Sequence, residues 1–333
     1  MKTIFFDVQE NEEQFLKNNI PKEVNYILSK ENVLNFDYSQ NVDEVKIIST
    51  FVMSKLDKNT LGKFKNLEFI LTRSVGYSHI DTKYCKEKNI KIFNTPNYGD
   101  RTVAEFVFGL LLSATRHIIS ASSAIRKTEV MMSDFCGVEL YQKTLGVIGA
   151  GAIGSKVLEI AKGFKMNTIA YDSNPHSEFV FCDLDTLFKN SDIISINAPL
   201  NEKTRHLINK EAISKMKDGV IIINAARGEI IDTEALLDGL MKKKIAFVGL
   251  DVIECEEILC LNGQKCQNLE NLKEGCLEKF YLNQKLLNLP NVVITPHIAY
   301  NTNEATMRIL KITMENLKNC LNFNPSAKNL VLL

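Results

Sequence analysis

The stretch that decides the fold is Leu145-Gly146-Val147-Ile148-Gly149-Ala150-Gly151-Ala152-Ile153-Gly154. Its first four residues form a short apolar run that is typical of a buried strand, and an amphipathic pattern over 152–163 predicts a helix directly after it. Between the two, Gly149, Gly151 and Gly154 have the spacing G-x-G-x-x-G. A strand before this pattern and a helix after it are the context in which it indicates a dinucleotide site.

Each glycine suits a different requirement of a bound dinucleotide. Gly149 permits a tight turn, Gly151 lets the backbone approach a pyrophosphate, and Gly154 lets the helix pack close to the strand. The helix N-terminus adds unpaired N–H groups and a partial positive charge. Asp172 follows the next predicted strand, about 20 residues further on, where a carboxylate binds ribose hydroxyls and repels a 2′-phosphate. The sequence therefore predicts NAD rather than NADP, although methyltransferases and adenosylhomocysteine-type enzymes share such glycines and the reaction stays open.

Outward from this turn, short β-branched and aromatic runs alternate with amphipathic stretches. Ten runs are predicted as strands: 3–8, 45–50, 69–73, 90–93, 145–149, 167–171, 192–197, 220–224, 246–251 and 292–295. Helices are predicted over 152–163, 183–189, 232–243 and 303–321, with a longer helical pattern over 101–127. Continuous apolar strands are typical of parallel sheets covered on both faces. The alternation therefore predicts a doubly wound α/β fold.

Composition narrows the class of protein. The chain has 333 residues, which suggests about two domains. Its 40 Lys and Arg residues balance 40 Asp and Glu residues, so no net field attracts nucleic acid or an anionic membrane surface. The apolar start Ile4–Phe6 is too short for a signal peptide, and no apolar run approaches the ~20 residues that span a bilayer. We therefore expect a cytoplasmic protein with mostly free thiols, no nucleic-acid partner and no membrane partner.

Metal binding is not expected. Cys255, Cys260, Cys266 and Cys276 follow the pattern C-x4-C-x5-C-x9-C, which lacks the paired short spacings of zinc sites. The segment 254–289 is rich in Asn, Lys, Glu and Cys, and we expect a surface excursion there with a short helix. No motif gives a role to four of the five histidines, His79, His117, His176 and His206, which are expected at the surface or at caps.

Arg227, Glu256 and His297 each follow a predicted strand in the second half of the chain. The carboxyl ends of strands in an open α/β sheet form the ligand crevice, so all three side chains can meet there. A guanidinium can bind a substrate carboxylate and polarise a ketone, and an imidazole can transfer a proton at neutral pH. A carboxylate on the other ring nitrogen orients the imidazole and favours its charged form. Each residue alone could be structural, but together they predict reduction of a 2-oxo acid.

Seven ordered motifs extend this interpretation over nearly the whole chain: TRSVGYSHID (72–81), NTPNYGDRTVAEF (94–106), GVIGAGAIG (146–154), NAPLNEKTRHLIN (197–209), DGVIIINAARGEIIDTEAL (218–236), GLDVIECEE (249–257) and PNVVITPHIAYNT (290–302). They resemble the D-isomer-specific 2-hydroxyacid dehydrogenases, in particular the D-lactate dehydrogenase-like branch. The resemblance implies two Rossmann-like domains of doubly wound parallel sheets with a cleft between them. The discontinuous substrate domain would comprise 1–100 plus 301–333, and the NAD-binding domain 101–300.

The resemblance also implies residue roles. Arg227, Glu256 and His297 correspond to the catalytic arginine, the orienting carboxylate and the proton donor. Beyond the glycines and Asp172, the implied cofactor contacts are Ala152, Ile153, Ala198, Pro199, Thr204, Ala225, Ala226 and Asp251. Besides Arg227, the implied substrate contacts are Val75, Gly76, Tyr98 and Tyr300. A homodimer built on the helix near 101–127 is implied as well.

The activity that follows from the resemblance is reversible, NAD-dependent reduction of a small 2-oxo acid to the (R)-2-hydroxy acid. Pyruvate, reduced to D-lactate, is the favoured substrate. Two alternatives stay open at this point. One is an (R)-2-hydroxyisocaproate-type dehydrogenase acting on larger 2-oxo acids, and the other is an NADH-sensing scaffold similar to the C-terminal-binding corepressors.

Overall fold

The computed structural model describes residues 1–39, 42–126, 131–175, 178–256, 275–322 and 326–332. The chain divides into two compact units. The first unit comprises Met1–Tyr98 and Thr302–Leu333, and the second comprises Gly99–Asn301. Each unit contains its own parallel β-sheet with helices around it, which confirms the predicted α/β class.

The first unit is built on a five-stranded sheet of order β2-β1-β3-β4-β5. Its strands are β1 Lys2–Phe5, β2 Asn25–Leu28, β3 Val45–Thr50, β4 Phe69–Thr72 and β5 Lys91–Phe93. Its helices are α1 Glu10–Asn19, α2 Lys58–Leu61, α3 Thr82–Glu87 and, from the end of the chain, α11 Asn303–Leu321. Successive strand residues point to opposite faces, so Ile4 and Phe5 belong to separate buried clusters. Leu310 and Leu317 of α11 cover the Phe5 face.

The second unit is built on a six-stranded sheet of order β11-β10-β9-β8-β6-β7. Its strands are β6 Thr144–Ile148, β7 Asn167–Tyr171, β8 Ile193–Ile196, β9 Val220–Asn224, β10 Ile245–Leu250 and β11 Val292–Ile294. Its α-helices are α4 Asp100–Thr115, α5 Ile118–Ala124, α6 Ala152–Gly163, α7 Leu184–Asn190, α8 Lys210–Lys215, α9 Thr233–Met241 and α10 Cys276–Leu287, and short 3-10 helices lie at Met132–Phe135 and Gly228–Ile230. Buried apolar clusters cover both faces of this sheet.

The strands of the second sheet end level with one another. Tyr171 lies opposite Ile148, which in turn lies opposite Ile196. On the other side, Ile196 lies opposite Asn224, and Leu250 lies opposite both Asn224 and Ile294. These six are the last residues of their strands. The residues that follow them therefore emerge along one edge of the sheet, where ligands bind in open α/β folds.

The prediction of one continuous helix over 101–127 is wrong. Helix α4 ends at Thr115 and α5 begins at Ile118, with the pair bent by 54°. His117 between them has a left-handed backbone, with φ 54°, which a continuous right-handed helix does not contain. Within the described ranges no single helix is long and apolar enough to cross a membrane, although α4 and α5 together meet that test by length and composition.

The cysteines differ in part from the expectation of free thiols. Cys85, Cys136, Cys182 and Cys320 are free. Cys255 and Cys276, however, form a disulfide with their Cα atoms 5.7 Å apart. Cys260 and Cys266 lie outside the described residues. In the part of the chain that the structure describes, no group of three or more His, Cys, Asp and Glu side chains is placed to hold a metal ion.

Candidate active site

The glycine turn lies between β6 and α6, and its glycines are there for different reasons. Gly149 has φ 88°, and a Cβ on it would lie 2.7 Å from the Ala198 nitrogen. A Cβ on Gly154 would lie 1.9 Å from the Gly149 carbonyl oxygen. The fold itself therefore requires both. Gly151 has an ordinary φ of −69°, and nothing lies within 4 Å of its Cβ position.

The open space at Gly151 adjoins the first residue of α6, where backbone N–H groups lack helical acceptors. No neighbour in the fold occupies the Cβ position of Gly151, so a ligand can approach the backbone closely there. A pyrophosphate on a helix N-terminus is such a ligand. These residues fit the diphosphate of NAD.

Asp172, directly after β7, is tied to the same turn. Its Oδ2 accepts a hydrogen bond from Ala150 N at 2.7 Å, and its Oδ1 accepts one from Asn174 N at 2.9 Å. An ionised carboxylate has about four acceptor positions, so each oxygen can still accept a ribose hydroxyl. The half-buried carboxylate is thus fixed in orientation and suited to a ribose.

The segment after β8 borders this turn. Ala198 is the residue that a Gly149 side chain would strike. Further along, the Thr204 hydroxyl donates to the Pro199 carbonyl oxygen at 2.6 Å and accepts from Asn201 N at 2.8 Å. These bonds fix the loop that contains three of the predicted cofactor contacts.

Three polar groups follow the neighbouring strands β9, β10 and β11. Arg227 comes shortly after β9, Glu256 after β10 and His297 after β11. His297 Nδ1 and Glu256 Oε1 are 2.8 Å apart, although 41 residues separate them in sequence. The positive charge of Arg227 acts on the same imidazole. The structure therefore brings together the imidazole, the carboxylate and the cation that the sequence singled out.

Arg227 is held by a residue that the sequence analysis did not identify. Asn224 is fully buried, and its Nδ2 donates to the Arg227 carbonyl oxygen at 2.9 Å while its Oδ1 accepts from Ala226 N at 3.0 Å. These two bonds fix the turn from 224 to 227. The guanidinium is exposed, and its Nη1 donates to the Ala226 carbonyl oxygen at 2.6 Å. A fixed backbone with an accessible guanidinium suits an anionic ligand.

Asp251 holds the loop that carries His297. Its carboxylate accepts hydrogen bonds from the Thr295 hydroxyl at 2.6 Å, Ile298 N at 2.9 Å and Ala299 N at 2.8 Å. Its carbonyl oxygen accepts from His297 N at 3.0 Å. His297 itself has φ 54°, a left-handed conformation that costs a non-glycine residue about 1–3 kcal/mol and persists only where the surroundings enforce it. The cofactor contact expected of Asp251 stays a prediction.

The environment of His297 favours its protonated form. Burial alone would lower the pKa of the imidazole, but the hydrogen bond and the charge of Glu256, with help from Asp251, raise it above its usual value. Arg227 opposes that rise without reversing it. Among the described residues, Nε2 of the ring has no hydrogen-bond partner. The ring is therefore oriented through one nitrogen and able to donate a proton through the other.

The predicted substrate contacts Val75 and Gly76 lie in the first unit, after β4. Their carbonyl oxygens accept bonds from Asn94 Nδ2 and the Ser74 hydroxyl, at 3.0 and 2.6 Å. Their N–H groups donate to none of the described residues. Two adjacent free N–H groups can bind an anion. Tyr98, also in this unit, is half-buried, and its carbonyl oxygen accepts from Arg308 Nε at 2.6 Å. Tyr300 is half-buried in the second unit.

Glu254 and His206 were not expected near the site. Glu254 is only 5% exposed, and His206 Nε2 lies 2.7 Å from its Oε1. His206 was expected at the surface or at a cap, and the structure shows in addition that it contacts a buried carboxylate. No local pattern identifies either residue, because both depend on partners far along the chain.

Comparison with known proteins agrees with this geometry. Residues 108–299 match the family model described as "D-isomer specific 2-hydroxyacid dehydrogenase, NAD binding domain". A hydroxypyruvate reductase from Thermotoga maritima is 40% identical over 271 residues, which are 80% of this chain and 82% of that protein. An aromatic 2-oxoacid reductase from Clostridium sporogenes is 41% identical over 79% of this chain and 78% of its own.

A solved structure agrees as well. The crystal structure of D-lactate dehydrogenase from Aquifex aeolicus, complexed with NAD and lactic acid, matches with a TM-score of 0.83 and 35% identity, over 96% of this chain and 95% of that one. The chain belongs to the D-isomer-specific 2-hydroxyacid dehydrogenase family. It is an NAD-dependent 2-hydroxyacid dehydrogenase that acts on 2-oxo acids.

Proposed function

We propose that this enzyme reduces a small 2-oxo acid to the (R)-2-hydroxy acid, with pyruvate as the preferred substrate and D-lactate as the product. The observation that carries the proposal is the His297–Glu256 pair beside Arg227, with Nε2 of the imidazole left free. This set provides one cation for a carboxylate and one proton for a ketone oxygen. A 2-oxo acid presents both groups on adjacent carbons.

Arg227 binds the substrate carboxylate and polarises the ketone. We propose Val75 and Gly76 as further substrate contacts, through N–H groups that donate to none of the described residues. His297 gives its Nε2 proton to the ketone oxygen as negative charge develops there, and Glu256 keeps the ring oriented and charged until that transfer. The reduced cofactor, when bound, supplies the hydride that reaches the carbonyl carbon. In the direction of oxidation, neutral His297 takes the proton from the substrate hydroxyl.

Gly149, Gly151, Gly154 and Asp172 are the cofactor residues that the geometry supports most directly. We also propose that Ala152 and Ile153 contact the diphosphate. The remaining proposed contacts follow β8, β9 and β10 at the level edge of the sheet, at Ala198, Pro199, Thr204, Ala225, Ala226 and Asp251. We propose Tyr98 and Tyr300 as substrate-pocket residues.

The alternative is a larger substrate. It is favoured by the 41% identity to an aromatic 2-oxoacid reductase, which exceeds the 35% identity to the D-lactate dehydrogenase structure. A panel of pyruvate, hydroxypyruvate, 2-oxoisocaproate and phenylpyruvate, assayed with NADH, separates the two readings. We expect the highest kcat/KM with pyruvate and a product of (R) configuration. A higher value for phenylpyruvate would replace the proposal by the alternative. NADH binding without turnover of any acid would indicate a scaffold.

We propose a homodimer formed through the region of α5 and the 3-10 helix that follows it. Large apolar side chains are exposed there: Ile118 53%, Ile119 49%, Ile125 76%, Met131 67% and Met132 92%. Large exposed apolar side chains concentrated in one region are typical of an interaction site. Light scattering is expected to give twice the chain mass, and Ile119→Asp is expected to give the monomer. A monomeric wild-type protein would contradict this assembly.

We also propose a cytoplasmic location, supported by the four free cysteines. Alkylation of thiols in intact cells, followed by mass spectrometry, tests it. Recovery of Cys136 and Cys182, two of the free cysteines, as alkylated thiols is expected in a reducing compartment. Their quantitative recovery in disulfides would favour an oxidising one.

A further inference from the structure

Helix α10 presents three residues on one face to the segment 254–256. Cys276, Lys279 and Asn283 are spaced by three and four positions, which places them one above another on a helix. Cys276 is bonded to Cys255 through the disulfide. Lys279 Nζ lies 3.0 Å from Glu254 Oε2, and Asn283 Nδ2 donates to the Glu254 carbonyl oxygen at 2.8 Å. All three contacts are made with the two residues that precede Glu256.

Glu254 is fixed from further directions. His206 Nε2 lies 2.7 Å from its Oε1, and Oε2 accepts bonds from Thr233 N at 3.1 Å and from the Thr233 hydroxyl at 2.6 Å. Burial alone would raise the pKa of Glu254, but these bonds and Lys279 hold it below its usual value. The carboxylate is therefore ionised at neutral pH and bonded to the loop after β8, the start of α9 and the face of α10. A buried charge with this many partners is an anchor point.

The anchor lies two residues from the carboxylate that orients His297. Cys255, between Glu254 and Glu256, has φ 55°, a left-handed conformation that a non-glycine residue keeps only where its surroundings impose it. A Cβ on Gly228 would lie 2.2 Å from the Ile253 carbonyl oxygen, so the Arg227 turn rests against the same segment. A displacement of Glu254 would therefore move Glu256 relative to His297 and disturb the support of Arg227.

We propose that Lys279 and Asn283 of α10, acting through Glu254, are positioning residues for the Glu256–His297 pair. The inference rests on the proposed function, because it assigns these residues a part in keeping His297 charged for proton donation. Among the described residues, neither makes a hydrogen bond or ion pair with Glu256, His297 or Arg227, and both contact Glu254. Their contribution is to hold Glu256 Oε1 at hydrogen-bond distance from Nδ1.

The test is the pH dependence of kcat/KM for reduction. In the proposed reaction His297 must be protonated to donate, so its deprotonation defines the alkaline limb. The charged groups that face His297 are Glu256, Asp251 and Arg227. In Lys279→Met the limb is expected to move to lower pH and kcat to fall about 10–100-fold, with KM for NADH unchanged. Loss of a cation alone would raise the pKa of His297, so the direction of the shift separates displacement of Glu256 from a direct charge effect.

The controls use the same helix. Lys279→Arg keeps the charge and is expected to restore the wild-type limb, while Lys285→Met removes an exposed lysine and is expected to change nothing. Asn283→Ala is a neutral second variant, matched with Gln284→Ala, and is expected to move the limb in the same direction as Lys279→Met. Thermal unfolding identifies the temperature at which each variant is folded. An unmoved limb and a kcat within about twofold of wild type in both folded variants would overturn the inference.

His297→Gln separates this inference from the function on which it rests. If that variant keeps wild-type turnover, His297 is not the proton donor and the proposed function fails. If it loses turnover and its alkaline limb, while the limb of the α10 variants stays in place, only the positioning role of α10 is lost.

Discussion

The glycine turn at 149–154 and the Glu256–His297 pair lie at the same edge of the second sheet, and they are held there by different means. The turn consists of six contiguous residues whose shape follows from missing side chains at Gly149 and Gly154. The pair joins residues 41 positions apart, and its geometry depends on Asp251 on one side and Glu254 on the other. Local steric limits thus define the glycine turn, whereas hydrogen bonds over long separations define the Glu256–His297 pair.

This difference predicts two kinds of failure. A change in the turn should act first on folding or cofactor affinity, because it alters the space available to backbone and ligand. A change in the Glu256–His297 pair should act first on kcat and its pH dependence, because it alters the proposed proton transfer and leaves the backbone in place. The following variants test that division.

The largest effect is expected from His297→Gln. Loss of the proton donor should lower kcat for reduction by about 10²-fold or more, while the NADH dissociation constant and Tm stay near wild type. Stopped-flow turnover measures kcat, fluorescence titration measures the NADH dissociation constant, and thermal unfolding measures Tm. His117→Gln, at the break between α4 and α5, is the matched histidine control. A large loss of NADH affinity in His297→Gln would contradict the prediction that the Glu256–His297 pair affects kcat and the glycine turn affects cofactor binding.

Glu256→Gln comes next. Because the charge and hydrogen bond of Glu256 raise the pKa of His297, their loss lowers that pKa and deprotonates the donor at a lower pH. The alkaline limb of kcat/KM for reduction is therefore expected to move to lower pH, and kcat at pH 7 to fall about tenfold, equivalent to ~1.4 kcal/mol. The acidic limb of the reverse reaction should move the same way. A limb that moves to higher pH would contradict the assigned role of Glu256.

The glycines provide an internal comparison within the turn. Gly154→Ala would place a Cβ 1.9 Å from a backbone oxygen, and is expected to cost about 1–3 kcal/mol of stability. Gly151→Ala has free space around it, so Tm should stay constant while NADH binding weakens. Gly163→Ala, with nothing within 4 Å of its Cβ position, is the control for both measurements. Unchanged NADH affinity in Gly151→Ala would remove the argument for a diphosphate there.

The smallest effect is expected from Asp172→Asn. The amide keeps an acceptor for Ala150 N but loses the charge that binds ribose hydroxyls and repels a 2′-phosphate. The preference for NADH over NADPH, taken as the ratio of kcat/KM values, is expected to narrow about fivefold, or ~1 kcal/mol. An unchanged ratio would show that another group discriminates between the two cofactors.

The sequence predicted best those elements that carry their own signal. The bounds of β3, β7, β9, α6 and α11 agree with the expected ranges to the residue, because apolar runs and helical periodicity are local. Strand β2 and helix α1 were not predicted. Strand β2 is a partly exposed edge strand of four residues, and α1 buries only Glu12 and Leu16. Both owe their structure to the neighbours they pack against.

The same limit applies to the site. Arg227, Glu256 and His297 were identified because they belong to motifs after strands, and the structure places them at neighbouring strand ends. Asn224, Glu254 and Lys279 were not, because a buried polar residue is indistinguishable from an exposed one until its partners are known. Glu254 in particular lies among acidic residues that resemble a solvated loop. Long-range hydrogen bonds of this kind leave no periodic trace in the sequence.

The bond between Cys255 and Cys276 has a consequence for the covalent topology of the chain. It joins two points separated by 21 residues and keeps their Cα atoms 5.7 Å apart. A backbone cut anywhere between them leaves the two fragments linked, and they separate on a gel only after reduction. An affinity tag or fluorophore grafted between the two cysteines would likewise leave the spacing of its attachment points fixed.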